Sequence, residues 1–281
     1  MFQRLTNSWE LVKASWAVLR ADKELLLFPV ISAIASLFVV ATFAVPTLLA
    51  GFADSVVAGD VGIFSYLVAF LFYIVLYFVT FFFNTALVGA AMIRLEGGDP
   101  TVRDGLRIAW EHVGSILGYA AIAATVGMIL RALSEKSGAL GRLVVSLIGF
   151  VWNIATFLVV PVLVMEKVGP VDGIKRSAEL LKRTWGEQIV GNFGIGTIFG
   201  LIGFFVVLIG IGGIVLGAVL QSVTLIILMS TLLVMALIGI GLISSALSGI
   251  FTATVYRYAT TGETSGYFDP MLIKNSFKPK K

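Results

Sequence analysis

The chain has no cysteine and only one histidine among its 281 residues. Without cysteine there is no disulfide framework, no thiol nucleophile and no cysteine-based metal site. The lone His112 lacks the further ligands that a zinc centre needs. Its neighbour Glu111 supplies a carboxylate, but adjacent helical residues do not face each other. His112 is therefore read as a surface or packing residue. Charge is also scarce. Asp, Glu, Lys and Arg make up 13% of the chain, against roughly 25% in a soluble domain, and residues 189–256 carry none. No charge sits mid-span, where pumps and coupled transporters usually place one. The many Ser and Thr residues have no His–Asp partner to activate them. Gly-x-Gly pieces within 194–213 sit inside an apolar run rather than after a strand, so they do not form a dinucleotide fingerprint. These absences point away from an enzyme, and no cofactor or metal is expected. The net charge of +4 needs no nucleic acid to explain it, because membrane proteins collect Lys and Arg on their cytoplasmic side.

What is present is apolar sequence in long runs. Hydrophobic residues make up 58% of the chain, and the uncharged stretches exceed the roughly 20 residues that cross a bilayer. Spans are expected at about 25–50, 63–93, 115–130 and 143–165, with two more inside 189–256. The third span can run on from the helix before it. The last turn is expected between 210 and 224, where Gln221 and Ser222 interrupt the apolar run. The N-terminal segment carries Arg4, Glu10, Lys13 and Arg20 and does not read as a cleavable signal, so the first span is expected to stay. With six spans and a cytoplasmic N-terminus, 17 of the 20 Lys and Arg residues fall inside and only Arg131, Lys136 and Arg142 outside. The positive-inside rule thus favours six spans with both termini cytoplasmic. The expectation is an all-α polytopic transmembrane bundle in the inner or plasma membrane. The basic residues of the 131–142 hairpin are either tolerated in a short loop or paired with Asp54 and Asp60.

A short amphipathic pattern recurs before three of these spans. Leu5, Trp9, Val12 and Trp16 form one stripe. Leu106, Trp110, Val113 and Leu117 form the second, and Ile174, Ala178, Leu181 and Trp185 the third. The spacing is i, i+4, i+7, i+11 each time, and Glu10, Glu111 and Glu179 stand in register. Upstream, 95–100 and 165–170 share an acid followed by a proline, which stops the span and makes the turn. Asp104 and Asp172 then read as helix caps, and Asn7 and Glu10 have capping-box spacing. Trp9, Trp16, Trp110 and Trp185 suit the lipid headgroup region, although periodicity cannot separate lipid from protein as their neighbour. The in-register acids read as first-turn residues favoured by the helix dipole, or as a ring around a cytoplasmic entrance. The organisation expected is one membrane domain over 1–260, with three helix-plus-hairpin repeats at about 1–96, 97–166 and 167–260. A basic cytoplasmic tail, 261–281, follows. Its Lys274, Lys278, Lys280 and Lys281 are placed to meet an anionic leaflet.

Polar residues inside the spans include Asn84, Asn153, Asn192, Ser244, Ser245 and Thr252. Interhelical hydrogen bonding or a pore lining would each explain them. Gly114 and Gly118, Gly196 and Gly200, Gly213 and Gly217, and Gly241, Ser245 and Gly249 are spaced by four, which allows close backbone approach within the bundle or between subunits of a homo-oligomer. Glycine-rich residues 191–217 could break, tilt or carry a wide turn.

The opening Ser8-Trp-Glu-Leu-Val-Lys13, the Lys23–Pro29 entry, the segment from Pro161 through Ser177 and the tail from Phe268 to Lys280 carry a resemblance. The chain resembles an uncharacterised bacterial and archaeal family of six-span membrane proteins of unknown function. More distantly it is similar to the membrane domain preceding some glycerophosphodiester phosphodiesterases and to the Yip-type proteins of eukaryotic trafficking membranes. The resemblance implies the rhythm of span end, short helix and next span, and brings no catalytic residues. The expected role is a non-enzymatic membrane scaffold or organiser. The rival is a channel or uncoupled transporter for a small or lipophilic solute.

Overall fold

The computed structural model describes residues 2–49, 62–185 and 194–275. The chain folds as an all-α, multi-pass bundle with six helices long and apolar enough to cross a membrane. Helix α1 (Phe2–Ala21) and a 3-10 turn (Lys23–Leu26) lead into α2 (Leu27–Leu49). Helix α3 (Ile63–Leu95) is followed by short α4 (Val102–Glu111) and long α5 (Val113–Lys136). Then come α6 (Ala139–Ala155), α7 (Val159–Glu166), α8 (Pro170–Trp185), α9 (Gly194–Val219), α10 (Val223–Thr261) and α11 (Pro270–Asn275). Helix α3 is central and packs against α2, α4, α5, α7 and α10.

Two spans depart from a simple rod. The third runs on from α4 with one break at His112, whose Nδ1 lies 2.8 Å from the Ile108 carbonyl oxygen. The fourth is split between α6 and α7. The break frees the buried Leu158 N–H, which donates to Ser177 Oγ of α8 at 3.0 Å. A buried N–H without a partner would cost about 1–3 kcal/mol, so α8 stabilises the break. The glycine-rich fifth span, by contrast, is unbroken from Gly194 to Val219. A Cβ at Gly210, Gly213 or Gly217 would come within 2.9 Å of Leu233, Met229 or Ile226. These glycines let α9 lie close along α10. The turn between them holds Gln221 at φ 52°.

The core sits at one end of the bundle. Ala86, Leu87, Ala90 and Ala91 of α3 are buried there with Ala246, Leu247, Ile250 and Ala253 of α10, and with Leu158, Val162 and Leu163 of the fourth span. At the other end Leu37, Ile63, Leu140, Ile209, Val219 and Ile227 are exposed. Surrounding lipid removes the hydrophobic reason to bury them.

Helices α1, α4 and α8 lie on the packed end. Helix α4 packs on α3, α8 on α7, and α1 on α9 and α10. Their buried faces keep Val12 and Leu181 of the expected stripes and are otherwise centred one residue ahead of them. Ser8, Leu11 and Ser15 are buried in α1, Gly105, Ala109, His112 and Ile116 along α4–α5, and Gly173, Ser177 and Leu180 in α8. In α4 the reason is size. A Cβ at Gly105 would overlap the Phe28 ring and sit 2.7 Å from the Ala86 carbonyl oxygen, so no larger residue fits at that position.

Other local expectations change too. Asn7 lies inside α1 and caps nothing. The N-cap of α4 is Thr101, with Asp104 three residues on in a reciprocal capping box. Asp172 sits in the first turn of α8 and pairs with Lys175 at 3.5 Å. The tail does not part from the bundle at 261. Helix α10 ends on Gly262 at φ 75°, Phe268 and Ile273 are buried, and α11 packs on α1. Lys274 is exposed; Lys278, Lys280 and Lys281 lie outside the described residues.

Candidate functional site

Trp9, Trp16 and Trp110 are 46%, 40% and 64% exposed, on the flank of their helices rather than in the buried stripe. Trp110 also meets the Phe82 ring edge-on, 5.3 Å between centroids. The Trp185 side chain lies outside the described residues. None of the three glutamates is a first-turn residue. Glu10 and Glu179 are mid-helix and Glu111 ends α4. Each is exposed and pairs within its own helix: Glu10 with Lys13 at 2.9 Å, Glu111 with Arg107 at 3.6 Å, Glu179 with Arg176 at 3.2 Å. Such pairs contribute about 0–1 kcal/mol each. The dipole-favoured acids are Asp104 and Asp172 instead.

A layer of side-chain-to-backbone bonds closes the packed end. Arg94 Nη2 donates to the Ala21 carbonyl at 3.3 Å, Arg257 Nη1 to Leu95 at 2.6 Å and Arg183 Nη2 to Ala259 at 3.4 Å. Each guanidinium thus satisfies a carbonyl in the last turn of a different helix, where the orphan acceptors and the negative end of the dipole lie. At the opposite polarity, Glu24 Oε2 accepts from Val102 N–H, the first of α4, at 2.7 Å. Arg176 Nε donates to both oxygens of Glu166, at 3.1 and 2.9 Å, and the Tyr256 hydroxyl donates to the same carboxylate at 3.4 Å. Buried Asp22 accepts from Glu24 N–H. Desolvation pushes its carboxyl above the usual value, against the pull of that N–H and of Arg94. The Thr101 hydroxyl and N–H hold half-exposed Asp104 below it. The positive-inside rule treats these arginines as loop charge and does not mark them as bonding groups. Arg94 and Arg257 stand within a turn of a span end, which is the signal that could have found them. Nothing in the sequence marked Ser177.

Above that layer the spans enclose a polar hollow. Asn84, Ser245 and Thr252, singled out as intramembrane polar residues, line one cavity of about 250 Å³ with Ser32, Thr80 and Ser248. The walls come from α2, α3 and α10. Thr80 and Thr252 turn their hydroxyls back to carbonyls of their own helices, Leu76 and Ser248. The side chains of Ser32, Asn84, Ser245 and Ser248 make no hydrogen bond with the described residues. Asn153 lines a different cleft of about 400 Å³, between α3, α5 and α6, with Tyr77, Tyr119 and Trp152. Ser244 is half-buried away from both, and Asn192 lies outside the described residues. No group of three potential metal ligands occurs among the described residues. At the far end Arg131 bonds Glu135 at 2.8 Å and the Tyr73 hydroxyl at 2.9 Å; Asp54 and Asp60 lie outside the described residues.

Residues 63–267 match the model of a family of unknown function, DUF6159, and the chain belongs to that family. No curated protein and no solved structure matches it.

Proposed function

We propose that this DUF6159 protein is a non-enzymatic membrane organiser, a multi-pass scaffold gripped at one end and spread into lipid at the other. The observation that carries the reading is the uneven burial. Small residues lock α3, α10 and the short helices together at the packed end, while both legs of the α9–α10 hairpin present large apolar side chains outward. A solute path would need a polar lining that joins the two ends. The cavity beside Asn84 and the cleft beside Asn153 instead lie against different residues of α3, are otherwise walled by different helices and share no lining residue.

The three short helices are read as copies of one unit. Helix α4 packs on the second leg of the first hairpin, α8 on the second leg of the next, and α1 on both legs of the last, which supports a quasi-threefold ring of repeats. Cytoplasmic placement of the packed end follows from the 17-to-3 distribution of basic residues, and a cell membrane is the matching location. The exposed tryptophans then lie at the headgroups, with Lys274 near an anionic leaflet. The likeness to the glycerophosphodiester phosphodiesterase membrane domain and to Yip-type proteins belongs to this same reading. Self-association is its natural mode, because Gly196, Gly200 and Gly241 leave open space where a neighbouring helix could approach.

Fluorescently labelled protein in vesicles at high lipid-to-protein ratio tests this. Photobleaching should show stable oligomers that Gly200→Leu disperses. Single bleaching steps at every dilution, or solute flux above that of empty vesicles, would remove the scaffold reading.

A further inference from the structure

We infer that the hollow between α2, α3 and α10 is a lateral binding site for the uncharged polar group of a membrane-soluble amphiphile, an acylglycerol being the chemistry that fits. The argument begins with what the walls lack. The cavity is lined by hydroxyls and one amide and by no charged side chain, so it offers nothing to neutralise a phosphate or an ammonium group. A charged head would have to leave water unpaired, which is costly in an apolar setting. An uncharged head carrying hydroxyl and ester groups meets no such cost.

Next comes what the walls leave open. Asn84 can donate two hydrogen bonds and accept two, yet it makes none with the described residues, and neither do the hydroxyls of Ser32, Ser245 and Ser248. Three separate spans bring these groups to one place. Polar groups at membrane depth ordinarily find partners on neighbouring helices. Here they line a cavity and stay unpaired.

The shape supplies the direction of entry. Phe28, Leu87 and Gly249 are buried and close the floor, whereas Thr80 and Ser245 at the rim are exposed. The exposed rim lies on spans two and six, so entry from the surrounding bilayer is the route this proposal takes. Gly249 helps make the hollow, since a Cβ there would overlap Leu87 and lie 3.6 Å from Asn84 Oδ1. A volume of about 250 Å³ falls just below the usual range for small-molecule pockets, about 300–1,000 Å³. It therefore suits the polar end of a larger molecule whose chains stay in the bilayer. The site stands whether or not the protein is a scaffold.

Photolabelling distinguishes this from simple wetting of the hollow. Full-length protein is reconstituted in phosphatidylcholine vesicles containing a diazirine-bearing diacylglycerol, irradiated and mapped by peptide. Label is expected on residues 28–32, 80–87 and 245–252, displaced by excess unlabelled diacylglycerol but not by squalene or by phosphatidic acid. Asn84→Leu and Ser245→Leu should each lower labelling about tenfold, the fold-change two net hydrogen bonds supply, while Asn153→Leu leaves it unchanged. Ser245 is at the exposed rim, so that variant reports even where Asn84→Leu folds poorly. Label spread evenly around the bundle, equal displacement by squalene or by phosphatidic acid, or undiminished labelling of Ser245→Leu would overturn the assignment.

Discussion

Helix α3 is one continuous cylinder with two different fates. Its second half, residues 82–95, is mostly buried and is gripped by α4, α7 and α10; its first half is half-exposed and lined by Phe72, Tyr73 and Tyr77. Apolarity does not explain the difference. Across the bundle the two most apolar spans, the fifth and sixth, are the least buried over their most apolar windows, and the least apolar span, the third, is the most buried. Residue size separates the halves instead. Ala86, Gly89, Ala90 and Ala91 lie in the gripped half, and rings fill the other. In lipid, burying a leucine gains little over leaving it in the bilayer, so contact follows from how closely backbones can approach.

The largest effect should come from filling one of those close approaches. Gly105→Leu would drive a side chain into the Phe28 ring and the Ala86 carbonyl. It is expected to cost about 3 kcal/mol or more, read as loss of monodisperse protein in detergent. Gly212→Leu, which meets nothing within 4 Å, should stay within about 0.5 kcal/mol. If both variants behave alike, size is not what separates the two ends.

A second contrast sets arginine against arginine. Arg257→Ala removes a 2.6 Å bond to the Leu95 carbonyl and should lower stability by about 2 kcal/mol, as for a hydrogen bond to a charged group. Arg131→Ala at the spread end breaks a pair that is 66% and 64% exposed and should cost about 1 kcal/mol or less. Thermal midpoints in the same detergent compare them, and a larger shift for Arg131→Ala would reverse the assignment of ends. Next in size, Ser177→Ala strips the acceptor from buried Leu158 N–H, for about 1–2 kcal/mol. Thr231→Ala loses only a hydroxyl turned back on its own helix and should change little.

The spans and their number were legible because uncharged runs of bilayer length allow few alternatives. The α9–α10 turn was legible because Gln221 and Ser222 interrupt a long apolar stretch at a point that leaves a bilayer-length run on either side. The buried face of the short helices was not. Hydrophobic periodicity selected the buried Val12 and Leu181 together with the exposed Trp9, Trp16 and Trp110, and it passed over Ser8, Gly105 and Ser177, on which the packed faces also rest. The break at 156–158 was also hidden, since its partner Ser177 is 19 residues away. The polar hollow was half legible. Asn84, Ser245 and Thr252 stood out in their spans, but only the packing of α2, α3 and α10 joins them.

The smallest predicted effect is one of sign, at the packed end itself. Desolvation raises the carboxyl of buried Asp22 above its ordinary value near 3.8. The folded protein therefore takes that proton more readily than the unfolded chain does. Its contribution to stability is full in acid and is lost as pH rises through the raised value. At neutral pH the buried charge opposes folding. Asp22→Asn, which keeps an acceptor for Glu24 N–H, should raise the thermal midpoint there, and the gain should vanish as acid protonates the wild-type group. Asp104 behaves oppositely. The bonds from Thr101 hold its carboxyl below 3.8, so its contribution is present above the ordinary value and is lost as pH falls through the depressed one. Asp104→Asn should lower the midpoint at neutral pH, with the deficit closing in acid. Midpoints recorded across the acid range should thus bring the two variants toward wild type from opposite sides. Curves that approach it from the same side would mean that Asp22 is paired at neutral pH as well as Asp104 is, and that burial at the packed end is not what shifts it.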